Sequence, residues 1–218
     1  MKTNFKKVLL IIFIFLPLII TLISLNYLPD LIPAHYGFNG EVTRWGSKYE
    51  SLILPIMCVV ICIISLICTN YAAKKPENKN NIKSLNACTV VLAITFNVLT
   101  ISFLISDFNK ITNINNAFSS KLIYMALGIG FIILGNYLPK CKRNNFIGIR
   151  TSLTLSNDDI WFKTHRFGGK VFVVFGFIFT IISLIIPVNI TMPILIISLI
   201  ILTIVVSVYP KKLVNKKN

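Results

Sequence analysis

Charge is scarce in this chain, and acid is scarcest. Only 13% of the 218 residues are charged, with 7 Asp and Glu against 22 Lys and Arg. A soluble domain is about a quarter charged. Histidine occurs only at 35 and 165, and the five cysteines, Cys58, Cys62, Cys68, Cys88 and Cys141, form no disulfide framework. Three of them fall in one apolar run, where a thiol acts as a small apolar filler. Cys58 and Cys62 share a helix face without a His or carboxylate beside them, so no metal site is expected. The motifs G-x-S-x-G, H-E-x-x-H, Walker A and G-x-G-x-x-G are absent. No set of Ser, Cys and carboxylates converges on a catalytic arrangement, so neither an enzyme nor a bound cofactor is expected.

What is abundant is long apolar sequence. Hydrophobic residues make up 55% of the chain. Six runs stand out, Val8–Leu28, Leu52–Tyr71, Leu85–Ile105, Ser120–Leu138, Val171–Pro187 and Met192–Tyr209. Each approaches the roughly 20 residues that a helix needs to cross about 30 Å of hydrocarbon. A bilayer core forces backbone hydrogen bonds to close within a segment, so these runs are helices. The fold class is therefore all-α, a polytopic bundle of six transmembrane helices. The first run follows Lys2, Lys6 and Lys7 like a signal sequence, but it is too long for a cleavable apolar core and reads as an uncleaved span. None of the six runs holds an ionisable Asp, Glu, Lys, Arg or His in its interior. Asn97, with Thr95, Thr100 and Ser102, makes the third span the most polar, and Asn97 is expected to hydrogen-bond a neighbouring helix.

The basic residues orient the bundle. Both tails and the even-numbered connections carry Lys2, Lys6 and Lys7, then Lys74, Lys75, Lys79 and Lys83, then Lys140, Lys142, Arg143, Arg150, Lys163, Arg166 and Lys170, and finally Lys211, Lys212, Lys216 and Lys217. The odd connections carry Arg44, Lys48, Lys110 and Lys121. The positive-inside rule puts the larger set, and both termini, in the cytoplasm. A basic soluble protein would suggest nucleic acid, but here the basic residues flank apolar spans and no RNP-like or zinc-finger spacing is present. Direct nucleic-acid binding is not expected; the lipid bilayer is the first partner.

Two connections are long. On the outside, Pro29 to Ser51 holds Asn39-Gly40, a strong signal for a two-residue hairpin turn. Ala34–Phe38 and Glu41–Trp45 would form the arms. Tyr36, Phe38, Trp45 and Tyr49 suit the headgroup layer. The loop reads either as an amphipathic cap or as a recognition surface. His35 and His165 lie on opposite membrane faces and cannot share a site; His35, near Asp30 and Glu41, reads as a hydrogen-bonded structural residue. On the inside, Pro139 to Lys170 contains Ser156-Asn-Asp-Asp159 followed by Ile160-Trp-Phe-Lys-Thr-His-Arg-Phe167. Ser156 reads as an N-cap and Asp158 and Asp159 as first-turn acids, giving an interfacial helix of about three turns that ends at Gly168-Gly169. It serves as a lipid anchor or as a docking surface.

These two connections carry a family resemblance. Pro33-Ala-His-Tyr-Gly-Phe-Asn-Gly40, followed by Ser47-Lys48, resembles the N-terminal domain of SdpI-like membrane proteins. Gly135-Asn-Tyr-Leu-Pro-Lys140, Asn144-Asn-Phe-Ile-Gly-Ile-Arg-Thr151, Ile160-Trp-Phe-Lys-Thr-His-Arg166 and Gly168-Gly169 resemble their C-terminal domain. The family pattern continues after Arg-Thr with Pro-Trp, where this chain has Ser152-Leu153. The resemblance implies residues 1–71 as an N-terminal domain, 72–84 as a cytoplasmic link and 85–218 as a C-terminal domain. It also implies a bacterial cytoplasmic membrane protein that confers immunity to a secreted peptide toxin and holds a cytoplasmic transcriptional repressor. The outside positions it marks are Pro33, His35, Tyr36, Asn39, Gly40 and Lys48. Those inside are Asn136, Pro139, Asn144, Gly148, Arg150, Thr151, Trp161, His165 and Arg166. The alternative is a small permease or exporter whose spans lack embedded charge.

Overall fold

A computed structural model describes residues 2–37, 42–112 and 117–215. The helices α1 (Lys2–Ser24), α2 (Ile53–Ala73), α3 (Ile82–Thr112), α4 (Ala117–Tyr137), α6 (Asp158–Ile185) and α7 (Val188–Asn215) are the six long elements, with a one-turn helix α5 (Ser152–Ser156) between α4 and α6. All six are long and apolar enough to cross a membrane. Their outer faces carry bare aliphatic side chains such as Ile23, Ile67, Val174 and Ile197. An apolar surface of this extent requires a lipid environment.

The last two spans are longer than their apolar runs imply. Only Ile186 and Pro187 separate α6 from α7, and each helix has 28 residues. The helix expected over residues 156–167 is not a separate element but the first part of α6. Asn157, not Ser156, is the N-cap, its side chain accepting from the amides of Asp159 and Ile160, and α6 then runs without a break through Gly168 and Gly169 into the fifth span. The glycines act in packing instead of terminating the helix. A Cβ on Gly169 would lie 2.7 Å from the Gly135 carbonyl oxygen, and one on Gly135 would lie 2.8 Å from that of Gly169. Gly128 on α4 and Gly176 on α6 repeat the arrangement two turns away. Small residues at that spacing let two backbones approach closely where no hydrophobic force between helices operates. Phe131 fills the space beside this crossing, edge-on to Phe172 and Phe175 with centroids 5.5 and 4.9 Å away.

On the other side of the molecule α3 packs against α1, α2 and α4. Ile14, Cys58, Cys62 and Ala93 form its buried cluster, so the two cysteines do serve as apolar filler. Polar groups close across the same interface, with Ser65 and Thr89 hydroxyls 2.7 Å apart and the Asn97 amide on the Phe13 carbonyl at 2.7 Å.

The outside loop is a two-stranded hairpin between α1 and α2, β1 (Leu31–Tyr36) paired antiparallel with β2 (Val42–Ser47). Its arms begin nearer the membrane than the Asn39-Gly40 signal suggests, with Leu31 opposite Ser47 and Pro33 opposite Trp45. Proline is accommodated in β1 because a two-stranded ribbon leaves each strand one unpaired edge. Asn39 and Gly40 themselves, with Phe38 and Glu41, lie outside the described residues.

Candidate functional sites at the two ends of the bundle

At the hairpin end the marked residues Lys48 and His35 make their contacts within the hairpin and at its base. Lys48 pairs with Asp30 at 3.0 Å and its amide donates to the Asp30 carbonyl, which closes the base of the ribbon. His35 Nδ1 lies 2.6 Å from Thr43 Oγ1 across the strands, so that nitrogen is partnered by a hydroxyl. Arg44 makes a two-pronged contact with Glu50 at 3.1 and 2.7 Å. Trp45 and Tyr49 stay exposed at 45% and 63%, as headgroup-level aromatics do. Tyr36 behaves differently. It turns inward, its hydroxyl 2.6 Å from Ser106 Oγ on α3 and its ring 6.4 Å from Phe103. Burial raises the Tyr36 phenol above its ordinary pKa of 10.0; the Ser106 hydrogen bond opposes the shift and the charge of Asp107 adds to it.

Asp107 is the residue that the apolar runs did not reveal. The third run ends at Ile105, but α3 continues to Thr112 and carries Asp107 into the packed end of the bundle, where it is 2% exposed. Among the described residues its Oδ1 has no hydrogen-bond partner, and neither do Asn97 Oδ1 and Thr100 Oγ1. On a helix these positions fall on one face, since 97, 100, 104 and 107 alternate steps of three and four. The expectation of spans without embedded charge is thereby corrected at one position. The signal available in the sequence was helical spacing from Asn97, not hydropathy.

At the basic end, residues 138–165 form a knot. Asn144 organises its loop alone: Oδ1 accepts from the amides of Phe146 and Ile147 at 2.7 and 2.8 Å, and Nδ2 donates to the carbonyls of Lys142 and Ile147. Trp161, 2% exposed, donates from Nε1 to the Cys141 carbonyl at 2.8 Å and stacks on His165 with centroids 4.0 Å apart. His165 is fully buried; Nε2 accepts from the Ile149 amide at 3.0 Å, and Nδ1 lies 2.8 Å from the Trp161 carbonyl. An amide only donates and a carbonyl only accepts, so His165 is neutral with its proton on Nδ1. Gly148 sits against His165 Nε2 with φ +124°, a conformation that favours glycine and leaves no room for a side chain. Thr151 caps α5 through a reciprocal pair with Thr154, whose hydroxyl also donates to the Ile149 carbonyl at 2.9 Å. Ser152 therefore occupies the first helical position, where the family's proline would also fit. Pro139 packs against Gly169.

Three marked residues remain outside this knot. Asn136, Arg150 and Arg166 are exposed. The nearby acids are already engaged, Asp158 by Arg143 Nε at 2.8 Å and Asp159 by Lys163 at 2.9 Å, which leaves Arg150 and Arg166 without a carboxylate among the described residues.

The connections that form the hairpin and the knot also carry the sequence likeness. Residues 140–210 match the SdpI/YfhL protein family, and residues 12–59 match a domain of unknown function, DUF1648. The Immunity protein SdpI of Bacillus subtilis is 28% identical over 178 residues, 82% of this chain and 81% of that protein. The chain is therefore similar to the SdpI/YfhL family over residues 140–210. An uncharacterised protein of Archaeoglobus fulgidus is 42% identical over 48 residues, 22% of this chain and 26% of its own length. No solved structure matches the chain. With six spans and this kinship, the protein is a multi-pass bacterial membrane protein.

Proposed function

We propose that the chain is a membrane immunity protein that protects its cell against a secreted antimicrobial peptide, acting by binding and without catalysis. The observation that carries this reading is its likeness to an immunity protein along 82% of the chain. In this reading the hairpin end faces outward, as the distribution of Lys and Arg requires, and meets the peptide. The exposed Arg150 and Arg166 then offer cationic groups on the cytoplasmic side to an acidic patch on a repressor. Unpaired arginines on a rigid helix and loop suit such a contact because their guanidinium groups engage carboxylates bidentately. The test is survival: a sensitive strain expressing the chain is exposed to the peptide encoded beside its gene. Protection is expected, and no gain in survival removes the reading. An Arg150→Gln, Arg166→Gln variant should keep protection and lose recruitment of the repressor to membranes.

A second reading, a small permease, draws on Asp107. A buried carboxyl with an unpartnered oxygen inside a membrane bundle is a common element of ion and proton pathways. It requires that reconstituted vesicles show flux which Asp107→Asn abolishes; absence of flux for candidate peptides and ions removes it.

A further inference from the structure

Between the link that joins α2 to α3 and the loop 141–157 lies a recess of about 310 Å³, lined by Lys75, Asn78, Arg143, Asn144, Asn145 and Phe146. Its walls are mostly polar, unlike the lipid-facing grooves elsewhere on the bundle. The recess is held open by specific contacts. Asn81 Oδ1 accepts from the Lys142 amide at 2.8 Å, which ties the link to the loop. Arg143 is fixed by Asp158 on Nε and by the Leu155 carbonyl on Nη1, leaving Nη2 without a partner among the described residues. Asn144 is used up by its own loop.

Lys75 and Asn78 add further donors to the recess. Asn78 is 4% exposed and lines the recess. Lys75 has no carboxylate partner among the described residues; its Nζ lies 5.9 Å from the Tyr71 ring centroid. The surrounding segments are basic as well, since Lys74, Lys79 and Lys83 flank the link against a single Glu77, and Lys140 and Lys142 flank the loop. Asp158, beside the site, is already neutralised by Arg143.

The height of the recess is set by Tyr71. It ends the second apolar run, stands 56% exposed, and meets Phe146 of the recess wall with centroids 6.2 Å apart. Aromatic residues at the end of a span mark the headgroup layer. A cavity at that level with two cationic side chains and the Asn78 amide in its wall suits an anion with several acceptor oxygens.

We propose that this recess binds a phosphate group, presented by the headgroup of an anionic glycerophospholipid of the inner leaflet. The lipid would bridge the α2–α3 link to the loop that carries Arg150, and so brace the basic end of the bundle.

The test uses the full-length chain purified in a neutral detergent, with phosphatidylglycerol, phosphatidylcholine and inorganic phosphate as separate probes. Thermal unfolding reports stabilisation, and native mass spectrometry reports retained lipid. Phosphatidylglycerol is expected to raise the melting temperature and to remain bound, with an affinity that falls about tenfold in Lys75→Gln, the loss of one charge-assisted contact. Asn78→Ala should weaken binding similarly, whereas Lys212→Gln at the end of α7 should not change it. Equal response of Lys75→Gln, Asn78→Ala and the native chain overturns the proposal and leaves diffuse attraction. Stabilisation by inorganic phosphate alone, with none from phosphatidylglycerol, overturns the lipid assignment. Lys75 is exposed, so its variant is expected to fold.

Discussion

The side-chain amide of Asn97 donates to the carbonyl oxygen of Phe13 at 2.7 Å. Phe13 is the residue four before Pro17, which sits inside α1. Proline has no amide proton, so this carbonyl loses its helical donor. In hydrocarbon no water replaces it. α3 supplies the missing donor, and α1 and α3 are locked by the defect that proline introduces.

That relationship gives a double-mutant prediction. Asn97→Val should destabilise the native chain by about 1–3 kcal/mol, the cost of a buried unsatisfied carbonyl. Pro17→Ala restores an amide to the Phe13 carbonyl, so Asn97→Val should cost less in that background. Thermal unfolding of the four proteins in one detergent measures the coupling, and additive effects would contradict the account.

The α4–α6 crossing predicts a steric result. Gly169→Leu forces a side chain into the Gly135 backbone, and overpacking of this kind costs about 1–3 kcal/mol or more. Gly130, whose added Cβ would meet only the Val91 side chain at 3.3 Å, should tolerate alanine far better. Melting temperatures of Gly169→Leu and Gly130→Ala make the comparison.

His165 predicts a change in accessibility. Replacing it by alanine leaves the Ile149 amide unpaired and opens space beside Trp161 and Gly148. Cys141, 5% exposed and under Trp161, should then react faster with a maleimide. In a background lacking the other cysteines, unchanged labelling of Cys141 would show that the knot does not depend on the imidazole.

Tyr36 predicts a limit at alkaline pH. Burial favours its neutral form, so the unfolded chain releases the phenolic proton first as pH rises. The contribution of Tyr36 to stability is complete below its ordinary pKa of 10.0 and declines as pH rises above it. Tyr36→Phe should lower stability near neutrality by about 1 kcal/mol, the net worth of the Ser106 hydrogen bond, and should show a shallower loss above that pH. Unfolding curves on both sides of it make the comparison.

Much of the architecture was legible in order along the chain. Apolar length sufficed for six spans because lipid permits only closed backbone hydrogen bonding. Asn39-Gly40 announced an antiparallel hairpin, and the described strands pair that way. Asn97 was legible as an interhelical donor because a polar amide in hydrocarbon needs a partner. The inside segment was less legible. Ser156 and Gly168-Gly169 resemble the two ends of a short helix, and that signal is purely local. Asn157 won the cap by its own amide contacts, and the glycines were kept helical by the opposing glycines of α4.

The sequence by itself determined the number of spans, the all-helical class and the asymmetry of basic charge, because each depends on composition along one segment. The tertiary structure decided which marked residues are spent on the fold and which remain for a partner. His165, Trp161, Gly148 and Thr151 are consumed by contacts with residues distant in sequence or by local loop geometry, whereas Arg150 and Arg166 stay exposed. It also decided the burial of Asp107, which lies past its apolar run and is enclosed only when α3 packs into the bundle. Those outcomes depend on which groups meet in space, and helix packing sets that.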